Sequence, residues 1–390
     1  MASTSAGVVA PDPAAPARRG PARTLAQLVD PRANTLNFVR LLLAGSVVLW
    51  HAYPLNGHEF PLPWAAQLAG SAGVDGFFAI SGFLLAGSWL HKPHLLTYAA
   101  NRVLRIVPAF WVCLVVVALG FAPLALLLQG EDPAGILTGS PSAGAYLLHN
   151  ADLSIDVHDV AGTPATVPFD GVWNGSLWTL RWEAFAYVGL AALGVLGLLR
   201  RRAVSLVLLA GLWLVGVGLA LGVVEDGYWV STGARLGLMF VAGMVVQVYA
   251  DRLPAHPGVA AAAAALVLVS PVLVDYRVLG GPALAYLVIW LGGAIRTPRL
   301  RLADRDISYG LYIYAFPVQQ TLVLLGADAL PPLVSGLLAL VATVPVAAAS
   351  WVLVERPALR LKSRLPWARR APAAPPSAPA ARPAAVGTPS

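Results

Sequence analysis

Apolar runs of about 20 residues, broken by short charged or Pro/Gly-rich segments, recur between residues 36 and 354. A run of that length crosses the hydrocarbon core as a helix, because only a helix or a closed barrel satisfies its backbone polar groups in lipid. About ten such segments are read: 36–55, 68–90, 104–128, 175–199, 203–224, 232–250, 258–274, 282–296, 307–325 and 333–354. The expected fold is therefore all-α, a polytopic transmembrane helical bundle. Composition agrees: 58% of residues are hydrophobic and 12% charged, about half the charged share of a soluble domain.

Charge asymmetry orients the bundle. With the N-terminus inside, the outward segments 56–67, 129–174, 225–231, 275–281 and 326–332 contain one basic residue, Arg277. Segment 129–174 carries Glu131, Asp132, Asp152, Asp156, Asp159 and Asp170 and no Lys or Arg. The inward segments hold clusters such as Arg200–Arg202 and Arg296–Arg305. Cationic loops stay on the cytoplasmic side, so both termini are expected to be cytoplasmic in a multi-pass protein of the cell (cytoplasmic) membrane. The same distribution argues against nucleic acid as the partner of a chain with net charge +7: its basic residues form no single stripe. The partner is the lipid bilayer.

Residues 1–34 and 363–390 are Ala/Pro/Arg-rich and read as disordered cytoplasmic tails flanking a membrane domain at 35–362. Residues 1–30 lack the apolar core of a signal peptide. A single cysteine, Cys113, allows no disulfide within the chain, and no metal site is indicated.

Ionisable residues inside the spans carry the functional argument, since lipid makes them costly. Arg40 and His51 are eleven residues apart, which puts them on one helix face and about 16 Å apart along the axis. Arg40 reads as a snorkelling end residue or a binding cation, and His51 as a packing histidine or a base. Asp75 lies in SAGVDGFFAISGF, among the small residues Gly73, Gly76, Ser81, Gly82 and Gly87 that let helices approach closely. Arg102 and Arg105 stand one turn apart at an inner mouth, either as membrane anchors or as a phosphate-binding pair. Glu183 follows the outer loop into its span, while Arg181 points to another face. Together these residues form a polar path from inner arginines to a histidine and carboxylates. A histidine is suited to general-base work near neutral pH, and a carboxylate can orient it.

Six ordered segments resemble acyltransferase family 3, the bacterial membrane O-acyltransferases that modify cell-surface sugars. They are Arg40 with His51, GVDGFFAISGF (73–83), NRVLRIVP (101–108), NGSLWTLRWEAFAY (174–187), DISYGLYIYAFPV (306–318) and VERP (354–357). Departures from the family pattern are Asn37, Asn101 and Ala315. The resemblance implies a cytoplasmic acyl-CoA donor, such as acetyl-CoA, as co-substrate and a carbohydrate or glycosylated acceptor reached from outside. In that scheme Arg102 and Arg105, with Arg40, hold the donor phosphates. His51 is the base or a transient acyl carrier, Glu183 orients it, and Asp75 assists. Trp178 and Tyr187 either stack on a sugar or pack. The other classes compatible with the same charges are a permease or flippase for a polar solute and a non-catalytic scaffold.

Overall fold

The apolar segments are helices in the computed structural model, which describes residues 24–31, 33–302 and 306–365. The bundle comprises α1 (Leu36–Leu55), α2 (Ala66–His91), α3 (Leu95–Val116), α4 (Thr179–Val195), α5 (Arg202–Ala220), α6 (Tyr228–Val248), α7 (Pro257–Val269), α8 (Arg277–Ala294), α9 (Ser308–Leu324) and α10 (Pro332–Ser350). Each coincides with one expected segment. Among the described residues, seven helical stretches are long and apolar enough to cross a membrane, those built on α1, α2, α3, α5, α6, α8 and α10. The other three are shorter: α4 and α9 have 17 residues and α7 has 13.

Two helices mark the extremes of environment. In α5 only Ser205 is buried; Leu206, Val207 and Leu214 are exposed, as on a lipid-facing helix, while Leu208 and Leu209 pack against the core. In α9 every residue from Gly310 to Gln320 is buried, so the Tyr312 hydroxyl and the Gln319 and Gln320 side-chain N–H groups donate to protein carbonyls rather than face lipid, while both glutamine Oε1 atoms lack a partner among the described residues.

Small residues set the closest helix contact. A Cβ on Gly82 of α2 would stand 1.9 Å from the Phe240 carbonyl oxygen, and one on Gly243 of α6 would stand 1.8 Å from that of Ala79. The backbones of α2 and α6 therefore touch where neither position admits a side chain, as the Gly/Ser-rich sequence of α2 led one to expect.

The bundle has two distinguishable ends. At the terminus end, Thr35 before α1 bonds the Gly292 carbonyl near the end of α8 at 2.8 Å. At the loop end, Gln67 at the start of α2 bonds Val274 and Tyr276 before α8. The long segment between α3 and α4 folds over this end. After a π-helical turn and helix that extend α3 to Leu128, it contains two short helices, Gly135–Thr138 and Ala143–Asn150, around the wholly buried Tyr146 and Trp173. The Gln320 amide of α9 ties it down by donating to the Phe169 and Val172 carbonyls at 2.6 and 2.9 Å. Trp182, Phe185, Tyr228 and Trp229 cluster at the same end with exposed faces, the composition of an interfacial aromatic belt.

Both tails fall largely outside the described residues. The exception corrects the composition-based boundary at 34: Leu25–Leu28 forms a helical turn whose Leu25 and Ala26 amides bond the Leu253 and Ala250 carbonyls, each at 2.9 Å. Leu25 and Val29 are buried, and Leu28 and Val29 pack over Gly293. Three apolar side chains suffice to dock a segment that otherwise reads as tail.

Candidate functional site

At the terminus end, α1, α2, α3, α4 and α9 surround a cavity of about 530 Å³, closed on one side by the extension of α10. Its cationic wall is Arg40, Arg102, Arg105 and Lys362, and its carboxylates are Glu183 and Asp306. The volume lies within the range of small-molecule and cofactor sites, about 300–1,000 Å³. Arg40 comes from the first turns of α1, and Arg102 and Arg105 from α3, where three-residue spacing puts both on one face.

Arg105 is the fixed member. Its Nη2 donates to Asp306 Oδ2 at 2.6 Å and its Nη1 to Glu355 Oε2 at 3.4 Å, while Tyr309 and Trp351 flank its guanidinium. Arg40 reaches the same Asp306 oxygen at 3.5 Å. The Ser308 hydroxyl and amide donate to Asp306 Oδ1 at 2.5 and 3.2 Å. Burial acts to raise the Asp306 pKa, but Arg105, Arg40 and the Ser308 bonds outweigh it and hold the carboxyl below the usual carboxylate range. Glu355 enters because α10 widens into a π-helical turn at Trp351–Glu355, a distortion found often at functional sites. The Ser350 hydroxyl donates to its other oxygen at 3.2 Å.

Arg102 differs from its neighbour. It makes no ion pair among the described residues, its buried Nε lacks a hydrogen-bond partner, and its guanidinium lies 5.8 Å from the centre of the Tyr187 ring. The Arg40 Nε is likewise buried without a partner. These donors leave the cavity wall electrostatically undersatisfied, the condition that favours a multiply charged anion.

Glu183 lies on the opposite wall. It accepts from the Tyr187 hydroxyl one turn along α4 and from Ser81 Oγ of α2 at 3.3 Å. The Tyr187 ring therefore serves Glu183 and Arg102 at once and lines the cavity. Trp178 does not line it; the ring lies under the Arg235 guanidinium at 5.8 Å.

His51 lies beyond the cavity. Its ring meets the edge of Phe316 at 5.3 Å, and Phe316 in turn contacts Phe169 of the long loop. Tyr312, one turn before Phe316 on the same face of α9, lines the cavity and packs on Phe77. His51 thus contacts α9 one turn beyond the last residue of that helix to line the cavity. Among the described residues no hydrogen bond joins it to Glu183, whose Oε1 accepts from both Tyr187 and Ser81. The structure does not bring the expected pair into contact.

Asp75 belongs to a separate cluster at the loop end. It is wholly buried, accepts from Arg277 Nε at 2.6 Å and from the Tyr276 hydroxyl, and lies 3.7 Å from Arg235 Nε. Arg277, the one cation on the side expected to lack them, is neutralised by Asp75 and Asp275. Arg181 pairs with the exposed Asp156, on a face away from Glu183, as its spacing implied.

Sequence reasoning missed Asp306, Glu355, Ser81, Tyr309 and Arg235 as site or network residues. Asp306 and Glu355 stand within two of the quoted segments, DISYG and VERP. Their role was hidden because the partner, Arg105, is 201 and 250 residues away in the chain.

The chain belongs to acyltransferase family 3: its sequence matches the family's acyltransferase-domain profile across residues 34–352. The resemblance read from six segments is thereby established, and the protein is a transferase enzyme. It is 29% identical over 366 residues to nodulation protein 10 of Rhizobium leguminosarum bv. viciae, covering 85% of this chain and 95% of that protein. It is 26% identical over 336 residues to an O-acetyl transferase of Shigella phage Sf6, covering 83% and 96%. A shorter match, 30% over 210 residues, covers 51% of this chain and 55% of the exopolysaccharide production protein ExoZ of Rhizobium meliloti (strain 1021). No solved structure matches the chain.

Proposed function

We propose that the protein is a multi-pass enzyme of the cytoplasmic membrane that moves an acyl group, acetyl in the simplest case, from cytoplasmic acyl-CoA to a hydroxyl of a sugar, surface glycan or glycosylated metabolite. In this reading all ten helices cross or enter the bilayer and both termini are cytoplasmic. The observation that carries it is the terminus-end cavity, with four cations, two carboxylates and an unpaired Arg102. The names of the relatives, which concern O-acetyl transfer and exopolysaccharide production, point the same way.

Arg102 and Lys362 meet the donor phosphates, aided by Arg40. Arg105 keeps Asp306 and Glu355 in place and shapes the wall. The acyl-pantetheine arm runs along the apolar side formed by Phe77, Phe78 and Tyr312 and brings the thioester past Tyr312 toward His51. The acceptor hydroxyl attacks the thioester carbonyl carbon; the new C–O bond forms and the C–S bond breaks. His51 removes the hydroxyl proton and returns it to the departing thiolate, so that CoA leaves as the free thiol. The alternative sequence passes the acyl group through the imidazole first. Glu183 acts at the cavity wall, through Tyr187, and not by direct contact with His51. Asp75 holds the loop end together.

The test is thiol release from acetyl-CoA by the detergent-purified full chain, with mass spectrometry of surface glycans from cells with and without the gene. The reading requires acceptor-dependent thiol release that is lost in His51→Ala, with that variant still inserted in the membrane. Wild-type protein that releases no thiol with any surface glycan, or His51→Ala with full activity, overturns it. A permease would release none.

A further inference from the structure

A second cavity, of about 260 Å³, opens at the loop end between α5, α6 and α8, and nothing in the acyl-donor chemistry uses it. Arg235, Arg277, Asp226, Asp275 and Thr232 supply its polar lining, and Trp213 an aromatic one. Its walls are preset: Trp213 Nε1 donates to the Val278 carbonyl at 2.7 Å, and Arg277 is held by Asp75 and Asp275. Arg277 is 3% exposed, yet its Nη2 has no hydrogen-bond partner. The Arg235 Nε and Asp75 Oδ1 are also buried and unpartnered, 3.7 Å apart.

A vacant pair of guanidinium donors beside carboxylate acceptors has a chemical preference. A carboxylate or phosphate satisfies the donors but meets Asp226 and Asp275, which line the cavity. A hydroxyl both donates and accepts, so it suits both sets. A ring that carries several hydroxyls can accept from Arg235 and Arg277 and donate to Asp226 and Asp275, with Trp213 in the same lining. The volume is below the roughly 300 Å³ at which drug-sized pockets begin, enough for a single ring. The cavity also approaches the first one: Arg235 lies over Trp178, and the next residue, Thr179, lines the donor cavity.

We infer that this loop-end cavity is a subsite for one uncharged saccharide ring of the acceptor, gripped by Arg277 and Arg235 as donors and by Asp226 and Asp275 as acceptors. The inference rests on the acyltransferase reading for its biological meaning, but the binding it requires is independent of transfer. Saturation-transfer NMR on the detergent-solubilised full chain tests it, with methyl glucoside and methyl galactoside as neutral probes and methyl glucuronide as the charged one. Gly216 lines the cavity and nothing lies within 4 Å of a Cβ placed there, so a side chain can start from this position, and Gly216→Trp is the variant that blocks the space. The expected result is a signal for at least one neutral glycoside, at least tenfold weaker in Gly216→Trp and three- to tenfold weaker in Asp226→Ala, with elution volume and acetyl-CoA binding unchanged. No signal from either neutral probe, a stronger response to the glucuronide, or a signal that survives Gly216→Trp overturns it. Failure of the donor reading shows separately, as absence of thiol release while glycoside binding persists.

Discussion

Two buried charge clusters sit at opposite ends of this bundle and behave differently. At the loop end, Asp75 is surrounded by Arg277, Arg235 and the Tyr276 hydroxyl, with Asp275 behind them. At the terminus end, Arg105, Asp306, Glu355 and Arg40 are paired among themselves, but they border a cavity twice as large that also holds Arg102 and Lys362. Among the described residues the first cluster balances its charges and leaves only single buried donor atoms, Arg277 Nη2 and Arg235 Nε, without hydrogen-bond partners. The second leaves a whole cation, Arg102, with no ion pair among the described residues. Intramembrane charge alone does not separate structural from ligand-facing groups; a cation left after pairing does.

The sharpest way to break that contrast is to remove one partner of the loop-end pair. Arg277→Leu leaves Asp75 buried with the neutral Tyr276 hydroxyl and, as its one remaining cation, the distant Arg235 Nε. Loss of one member of a buried pair costs about 3–5 kcal/mol, so the variant is expected to lose most monodisperse protein in detergent. The double variant Asp75→Leu/Arg277→Leu removes both charges and should recover most of that loss, because Arg235 is partly exposed and stays solvated. Size-exclusion profiles and thermal unfolding of the three proteins check this. If the double variant is no better than Arg277→Leu, Asp75 and Arg277 are not acting as a mutually neutralising pair.

The terminus end predicts a split between adjacent arginines. Arg102→Ala orphans no carboxylate, so its unfolding temperature should match the wild type. Its affinity for acetyl-CoA should fall about 10- to 100-fold, the worth of one or two hydrogen bonds to a charged group. Arg105→Ala instead strands Asp306 and Glu355 and should lower stability and affinity together. Isothermal titration and thermal unfolding on both variants distinguish them. Equal destabilisation by both would place Arg102 in the holding network and remove the unpaired cation from the donor site.

Much of this fold was legible because hydropathy is local. All ten helices appear where apolar runs of bilayer length were counted, and the glycines of α2 announced its close neighbour. Residues 24–34 were misjudged because Leu25, Leu28 and Val29 form a small apolar island inside an Ala/Pro-rich context. Pairing was not legible. Asp75 meets Arg277 across 202 residues and Arg105 meets Glu355 across 250, and no periodicity connects positions so far apart. Their shared place inside the expected spans likewise brought His51 and Glu183 no nearer: they face different neighbours, Phe316 and Ser81.

The smallest expected effect concerns acid. The Asp306 carboxyl is held below its usual range, so its folded pKa lies below the unfolded value of about 3.9. Its contribution to stability is fully present above the unfolded value and is lost only as pH falls through the lower folded one. The unfolding-temperature difference between wild type and Asp306→Asn should therefore be flat from pH 7.5 to about pH 5, and shrink only below about pH 4. With Glu355→Gln introduced into both proteins, which removes the other carboxylate on Arg105, comparing them at each pH cancels the titrating groups remote from Asp306. A difference that already declines between pH 7 and pH 5 would mean that burial outweighs Arg105 and Arg40 at this carboxyl. The terminus-end cluster would then be short of negative charge at neutral pH, and Arg105 would join Arg102 as a cation free to meet the donor.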